Sequence, residues 1–144
     1  MTEIDFAILA PSHSDSREQF AAKLALKRFN QGVNVHLHCA DEPQAKALSD
    51  LLWQSTGDRF IPHALDNAEA SYNSLISIGF KETASCSHRQ ALINLCAERA
   101  PFFSEFKKLT EIVIDNESPL TIKQREHAKF YRARHYPIKF HKLS

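Results

Sequence analysis

Three cations, Arg125, Lys129 and Arg132, recur at separations of four and three residues, so that on a helix they stack along one face with Phe130 and Tyr131 beside them. An arginine fork binds a carboxylate through two parallel hydrogen bonds, and an adjoining apolar hollow takes a hydrophobic side chain. The chemistry this pattern offers is capture of an acidic peptide with a terminal aromatic. A charge run on a helix also serves as a plain solvated face, and one of Phe130 and Tyr131 is expected in the core.

Other constellations offer less. His36 and His38 lie two apart on a predicted strand and project to one side, where Cys39 or Asp41 would complete a metal chelate. Such short pairs recur without a metal, and the reading adopted is two exposed strand-end histidines. Cys86-Ser-His88 would need a loop to aim a thiol at an imidazole two residues away, and Ser12, His13 and Asp15 have catalytic residue types without a spacing that assembles them. The latter are read as capping a helix that begins near Ser16. The turn Leu9-Ala-Pro-Ser-His-Ser-Asp-Ser16 contains no glycine, and neither G-x-G-x-x-G nor G-x-x-x-x-G-K-[ST] occurs in a chain whose glycines are Gly32, Gly57 and Gly79. A phosphate cradle needs glycine for close backbone approach, so no nucleotide-binding loop and no cofactor are expected.

The elements that must position these residues alternate. Phe6 to Leu9 reads as a strand and Arg17 to Asn30 as a helix with Phe20, Leu24 and Ala25 on its faces, closed by Gly32. Val33, Val35 and Leu37 alternate with polar residues, which predicts a half-exposed strand ending near Cys39. Asp41 and Glu42 before Pro43 start a second helix, with Ala45, Leu48, Leu51 and Leu52 at helical spacing and Trp53 at its end. Trp53 and Phe60 bracket a polar loop; either one ring faces a partner or both form a satellite core beneath that loop. Strands follow at Phe60 to His63, Leu75 to Ile78, Ala91 to Leu95 and Glu111 to Ile114, with a short helix over Pro101 to Leu109 carrying Phe102, Phe103 and Phe106. Thr121 to Arg134 is the last helix, and Tyr136 to His141 a closing strand. This alternation predicts an α/β fold: an open, mostly parallel, Rossmann-like sheet with helices on both faces, formed as one domain over residues 1–144.

Composition bounds the function classes. A chain of 144 residues buries about two-thirds of its unfolded surface. No apolar run approaches the roughly 20 residues of a membrane span, and Met1-Thr-Glu-Ile-Asp5 lacks the basic start of a signal peptide, so a cytoplasmic protein is expected. Cys39, Cys86 and Cys96 fit no paired spacing and read as reduced, mostly buried thiols. The net charge of +1 hides an asymmetry: residues 123–144 hold seven Lys or Arg against the single acid Glu126. That basic end attracts an anion, whether nucleic acid, membrane surface or acidic peptide.

An ordered set of short matches resembles the chi subunit family of bacterial DNA polymerase III: Gly32-x-x-Val35, Cys39-Ala-Asp-Glu-x-Gln44-Ala45, Leu52-Trp53, Phe60-Ile-Pro-His63, Ile93-Asn-Leu95, Phe102 to Phe106, Glu111-Ile-Val113, Lys123-Gln-x-Glu126 and Tyr131-Arg132. The likeness reaches both chain ends and departs most from Asp66 to His88, where the family tends to carry a glycine- and proline-containing loop. The resemblance implies a non-catalytic accessory subunit associated with the clamp loader. It implies that Trp53 and Phe60 engage the psi subunit or, alternatively, a helicase. It further implies that a surface at Arg125, with Lys129, Tyr131 and Arg132, holds the acidic, phenylalanine-terminated tail of single-stranded DNA-binding protein, so that nucleic acid is met mainly indirectly and a membrane not at all. The family's tyrosine three residues beyond Arg125 is Ala128 here. A direct single-stranded nucleic-acid binder and a metal-dependent hydrolase are the alternative readings.

Overall fold

Strand side chains alternate between two sides, and the apolar residues of this chain separate by that parity into two cores. The computed structural model describes residues 2–56, 63–65, 76–80 and 89–143. In chain order its elements are β1 (Glu3–Leu9), α1 (Arg17–Asn30), β2 (Val35–His38), α2 (Glu42–Thr56), β3 (His63–Leu65), β4 (Ile76–Gly79), β5 (Ala91–Asn94), a 3-10 turn (Phe103–Glu105), β6 (Lys108–Ile114), α3 (Pro119–Ala133) and β7 (Ile138–Leu143). The strands form one sheet in the order β3-β4-β2-β5-β6-β1-β7. Every pairing within it is parallel. Ala7, Leu9, Val35, Leu37, Ile93 and Ile112 face α1 and α2. Their neighbours of opposite parity, including Ile4, Phe6, Leu92, Leu109 and Val113, face α3 and the phenylalanine-rich turn. The open, Rossmann-like α/β arrangement expected from the alternation of elements is therefore the observed one, and its sheet is wholly parallel among the described strands.

Local chemistry sets the helix ends. Ser16 accepts from the Gln19 amide at 3.1 Å while its own amide donates to Gln19 Oε1 at 2.8 Å, a reciprocal cap that starts α1. At the other end Gly32 stands at φ +81°. Its amide donates to the Phe29 carbonyl and the Val33 amide to the Arg28 carbonyl, at 3.0 and 2.9 Å. A glycine tolerates this left-handed conformation without a Cβ clash. Asp41 Oδ1 accepts from the Gln44 amide at 3.0 Å and so starts α2. The same left-handed ending closes α3, but on His135 at φ 64°. There the His135 and Tyr136 amides donate to the Arg132 and Tyr131 carbonyls at 3.0 and 3.1 Å.

Three expectations are corrected. β2 is not half exposed: all four of its residues are buried, because it lies between β4 and β5 and is covered on both faces. His36 and His38 are accordingly core residues. His36 Nδ1 meets Ser77 Oγ at 2.7 Å, and the rings lie against Phe102 at 6.0 and 5.1 Å. The segment from Pro101 to Leu109 is not a helix but a single 3-10 turn, Phe103–Glu105. The Lys107 and Lys108 amides donate to the Arg89 and Gln90 carbonyls instead, and β6 begins at Lys108. The strand expected from Phe60 is seen at His63–Leu65; Phe60 to Pro62 lie outside the described residues.

Candidate functional site

α3 carries the cation triplet, and an unusually polar inner face holds that helix on the sheet. Ser118 caps it through the Thr121 amide at 3.2 Å. Thr121 Oγ1 bonds the Ile114 carbonyl at 2.9 Å, and Gln124 Nε2 donates to the Ile112 carbonyl at 2.8 Å. One turn further, His127 Nδ1 meets Glu111 Oε1 at 2.9 Å and the Tyr131 hydroxyl donates to Glu111 Oε2 at 2.6 Å. Glu111 and Tyr131 are both fully buried. Burial first, then the neighbouring carboxylate, pushes the Tyr131 phenol far above its ordinary range, so it stays a donor. Inner contacts at residues 121, 124, 127 and 131 fix the rotation of the helix and turn Arg125, Lys129 and Arg132 outward, all three exposed.

This placement corrects the inclusion of Tyr131 in the candidate surface. Its ring packs among Phe6, Phe103 and Tyr136 at 6.2, 5.1 and 6.3 Å, beneath the helix rather than on it. Phe130 is half-buried, held between the guanidinium groups of Arg99 and Arg134 at 3.6 and 3.7 Å from its ring centre.

Arg125 stands at the rim of a hollow of about 100 Å³ between α3 and the β1–β7 end of the sheet. Its walls are Phe6, Ile8, Val113, Ala128 and Phe140, with Asp115, Thr121 and Gln124 completing the lining. Phe140 is half exposed and stacks on Phe6 at 5.5 Å. Ala128, where a bulkier side chain would fill the space, leaves the apolar floor open. Arg125 is paired with Glu117 at 3.4 Å, and both side chains are largely in solvent. Such an exposed pair contributes roughly 0–1 kcal/mol and yields readily to a competing carboxylate. Lys129 and Arg132 continue the exposed cationic face beyond the hollow rather than lining it. Trp53 sits in the last turn of α2, 50% exposed; its expected companion Phe60 lies outside the described residues.

The remaining sequence candidates resolve into structural roles. The Asp15 carboxylate holds Lys23 at 2.9 Å, and His13 Nδ1 accepts from the Asp15 amide at 3.0 Å, so the first turn is a capped loop. Cys39 is buried, and desolvation pushes its thiol up to about 12. Cys86 and His88 lie outside the described residues, within which no three metal-type side chains come together. Sequence reasoning missed Arg17. It opens α1 with its side chain buried, Nε donating to the Ile112 carbonyl at 3.0 Å and Nη2 to the Leu95 carbonyl at 3.2 Å. The guanidinium thus lies over the carboxyl ends of β5 and β6, where sheets of this kind commonly place a ligand. The hollow's walls were missed too, although the alternation Ile138-Lys-Phe140-His-Lys142 puts Phe140 on the α3 side of β7.

A Rossmann-like sheet with a capped first turn and an arginine-rimmed apolar hollow at its β7 end defines a small α/β domain with a surface depression beside its last helix. The model of the DNA polymerase III chi subunit family (HolC) matches residues 1–139, and the chain belongs to that family. It is 37% identical over 143 residues to DNA polymerase III subunit chi of Pseudomonas aeruginosa, spanning 99% of this chain and 98% of that protein. It is 31% identical over 115 residues to the subunit chi of Escherichia coli, spanning 80% and 78% of the two chains. To that of Haemophilus influenzae it is 29% identical over 127 residues, 88% of each.

Proposed function

We propose that this chain, acting as one domain over residues 1–144, is a non-catalytic accessory subunit of a bacterial DNA polymerase III holoenzyme. In this role it links the clamp-loader-associated psi subunit to the acidic, phenylalanine-terminated tail of single-stranded DNA-binding protein. The observation that carries the reading is the hollow beside Arg125. It offers a guanidinium fork at the rim for a terminal carboxylate and an apolar floor of Phe6, Ile8, Val113 and Phe140 for an aromatic ring. Lys129 and Arg132 extend a positive path for the acidic residues that precede that ring. Trp53, with Phe60, is the anchor for psi or for a helicase, since large aromatics dominate interface energies. Two surfaces on one small domain raise the effective concentration of one partner near the other without chemistry, which suits a cytoplasmic replication adaptor. Family membership supports the accessory role, and no helix among the described residues is long and apolar enough to cross a membrane.

The test is calorimetric titration with an acidic peptide ending in phenylalanine, beside the same peptide lacking that residue. Micromolar binding that requires the terminal residue and weakens with salt is expected. Arg125→Ala should weaken it roughly tenfold or more, the scale of a lost charge-assisted contact, and leave psi binding intact. Equal loss of both interactions refutes the two-surface arrangement. Tight, steeply salt-dependent binding of single-stranded DNA alone would favour direct nucleic-acid binding instead.

A further inference from the structure

On the side of the sheet away from α3, Lys139 and His141 of the last strand are exposed. Lys139, His141 and Leu143 of β7 share that side with Asp5 and Ala7 of β1. Between them and α1 runs a groove of about 300 Å³. Its apolar surface comes from Phe20 and Leu24 of α1 with Ala7 and Leu143 of the strands, and its polar groups are Arg28, Lys27, His141, Thr110 and Asp5. β7 is the end strand of the order, so its outer edge is unpaired among the described strands.

Arg28 distinguishes this groove from an ordinary surface cleft. Its Nη2 donates to Thr110 Oγ1 at 3.0 Å, whereas Nη1 is shut off from solvent and has no hydrogen-bond partner. Arg17, eleven residues earlier on the same helix, donates to two carbonyls, from Nε and from Nη2. Half of the Arg28 fork is therefore desolvated and unused, a state that a planar two-oxygen acceptor relieves when the side chain, which lines the groove, turns its fork toward the opening. The acid that lines the groove, Asp5, is already engaged: Lys108 Nζ lies 2.9 Å from Asp5 Oδ2 and His141 Nε2 lies 3.7 Å from Oδ1. Around that neutralised acid stand Lys27 and Lys139, both exposed. The groove thus has positive charge in excess, one orphaned guanidinium nitrogen and a hydrophobic floor.

We infer that this groove is a second peptide-binding site, in which Arg28 takes the carboxylate side chain of an acidic segment whose alternate apolar residues rest on Phe20, Leu24 and Leu143 along the edge of β7. Charge complementarity selects an acidic partner, and the floor selects a peptide over a small free anion. The site is independent of the hollow at Arg125, which lies on the opposite side of β1 and β7. It stands or falls without the tail-binding reading.

The probe is acetyl-Asp-Leu-Asp-Leu-Asp-amide, which has neither a free terminal carboxylate nor a phenylalanine, followed by backbone and methyl NMR of the full chain. Saturable shifts are expected at Leu24, Thr110 and Leu143, absent with the Asn-for-Asp peptide and unchanged in Arg125→Ala. Arg28→Gln should weaken binding roughly tenfold, the loss of one charge-assisted pair. Arg28→Lys preserves charge but not the fork, and should also weaken it; a paired Lys27→Gln, His141→Gln variant keeps the test alive should position 28 fail to fold when neutralised. Shifts confined to the Arg125 hollow overturn the proposal. So do equal shifts produced by inorganic phosphate, or no saturable shift at millimolar peptide.

Discussion

Replacing Tyr131 by Phe separates the core role of this residue from the surface role that its position beside Arg132 suggests. The hydroxyl donates to Glu111 Oε2 at 2.6 Å, and neither side chain has any exposure to water. Removing it leaves the ring contacts with Phe6, Phe103 and Tyr136 in place and, among the described residues, His127 at 2.9 Å as the hydrogen-bond partner of the Glu111 carboxyl group. Leaving a buried acceptor without its donor costs about 1–3 kcal/mol, and the deleted oxygen leaves a void too small to add much. With a urea dependence of about 1–3 kcal/mol per molar for a domain of this size, the unfolding midpoint should fall by roughly 1 M. The tail peptide should bind Tyr131→Phe as it binds the parent, since Arg125 and the hollow's walls are untouched. An unchanged urea midpoint together with weakened peptide binding would refute the reasoning and return Tyr131 to the surface.

His135 holds the left-handed end of α3 where glycine does the same job at α1, so His135→Gly should raise stability by about 0.5–1 kcal/mol, read as a higher thermal midpoint; a lower one would mean the imidazole makes a compensating contact. Cys39 keeps its thiol proton in the fold to about pH 12, while the unfolded chain loses it from its ordinary value near 9. Folding therefore loses stability as pH rises above about 9, by up to about 1.4 kcal/mol per unit from this group alone. Between pH 9 and 10 the stability of the parent should fall more steeply than that of Cys39→Ala; parallel curves would contradict the burial. Phe140→Ala removes one wall of the hollow and its stacking on Phe6, so the phenylalanine-terminated peptide should bind roughly tenfold more weakly while the truncated control changes little, as calorimetry would show.

The ends of the first helix are legible because they depend on neighbours in sequence: a serine cap and a glycine stop give Arg17–Asn30 to the residue. The glycine-free first turn was likewise readable as a capped loop. What failed depended on distant partners. His36 and His38 read as exposed because they alternate with Val35 and Leu37, yet Phe102 and Phe106, more than sixty residues on, form their lid. The three phenylalanines suit a helix, but strand pairing with residues 89 and 90 claims the backbone that follows them. On α3 the buried side chains are Thr121, Gln124, His127 and Tyr131, none an aliphatic, so hydrophobic periodicity could not say which way the helix faces. That rotation decides whether Tyr131 or Arg125 meets solvent, and its cause, Glu111 in the middle of a strand, was visible only as an oddly placed acid. The cation triplet was correctly seen as one exposed face; the hollow beside it needed the fold to bring Phe6, Val113 and Phe140 together.

Arg17 changes how the fold answers to its surroundings. A Rossmann-like protein that fills its crevice with a nucleotide has a stability tied to supply, rising by about 2.7 kcal/mol when the ligand stands at a hundred times its dissociation constant and lapsing when the pool empties. Here the group over the carboxyl ends of β5 and β6 is a side chain of the same molecule, bonded to the Leu95 and Ile112 carbonyls. Its local concentration is fixed by the chain and cannot be diluted or competed away in the folded state. A domain braced in this manner ties the ends of β5 and β6 together through its own side chain, so this part of its stability is the same at every concentration of outside molecules.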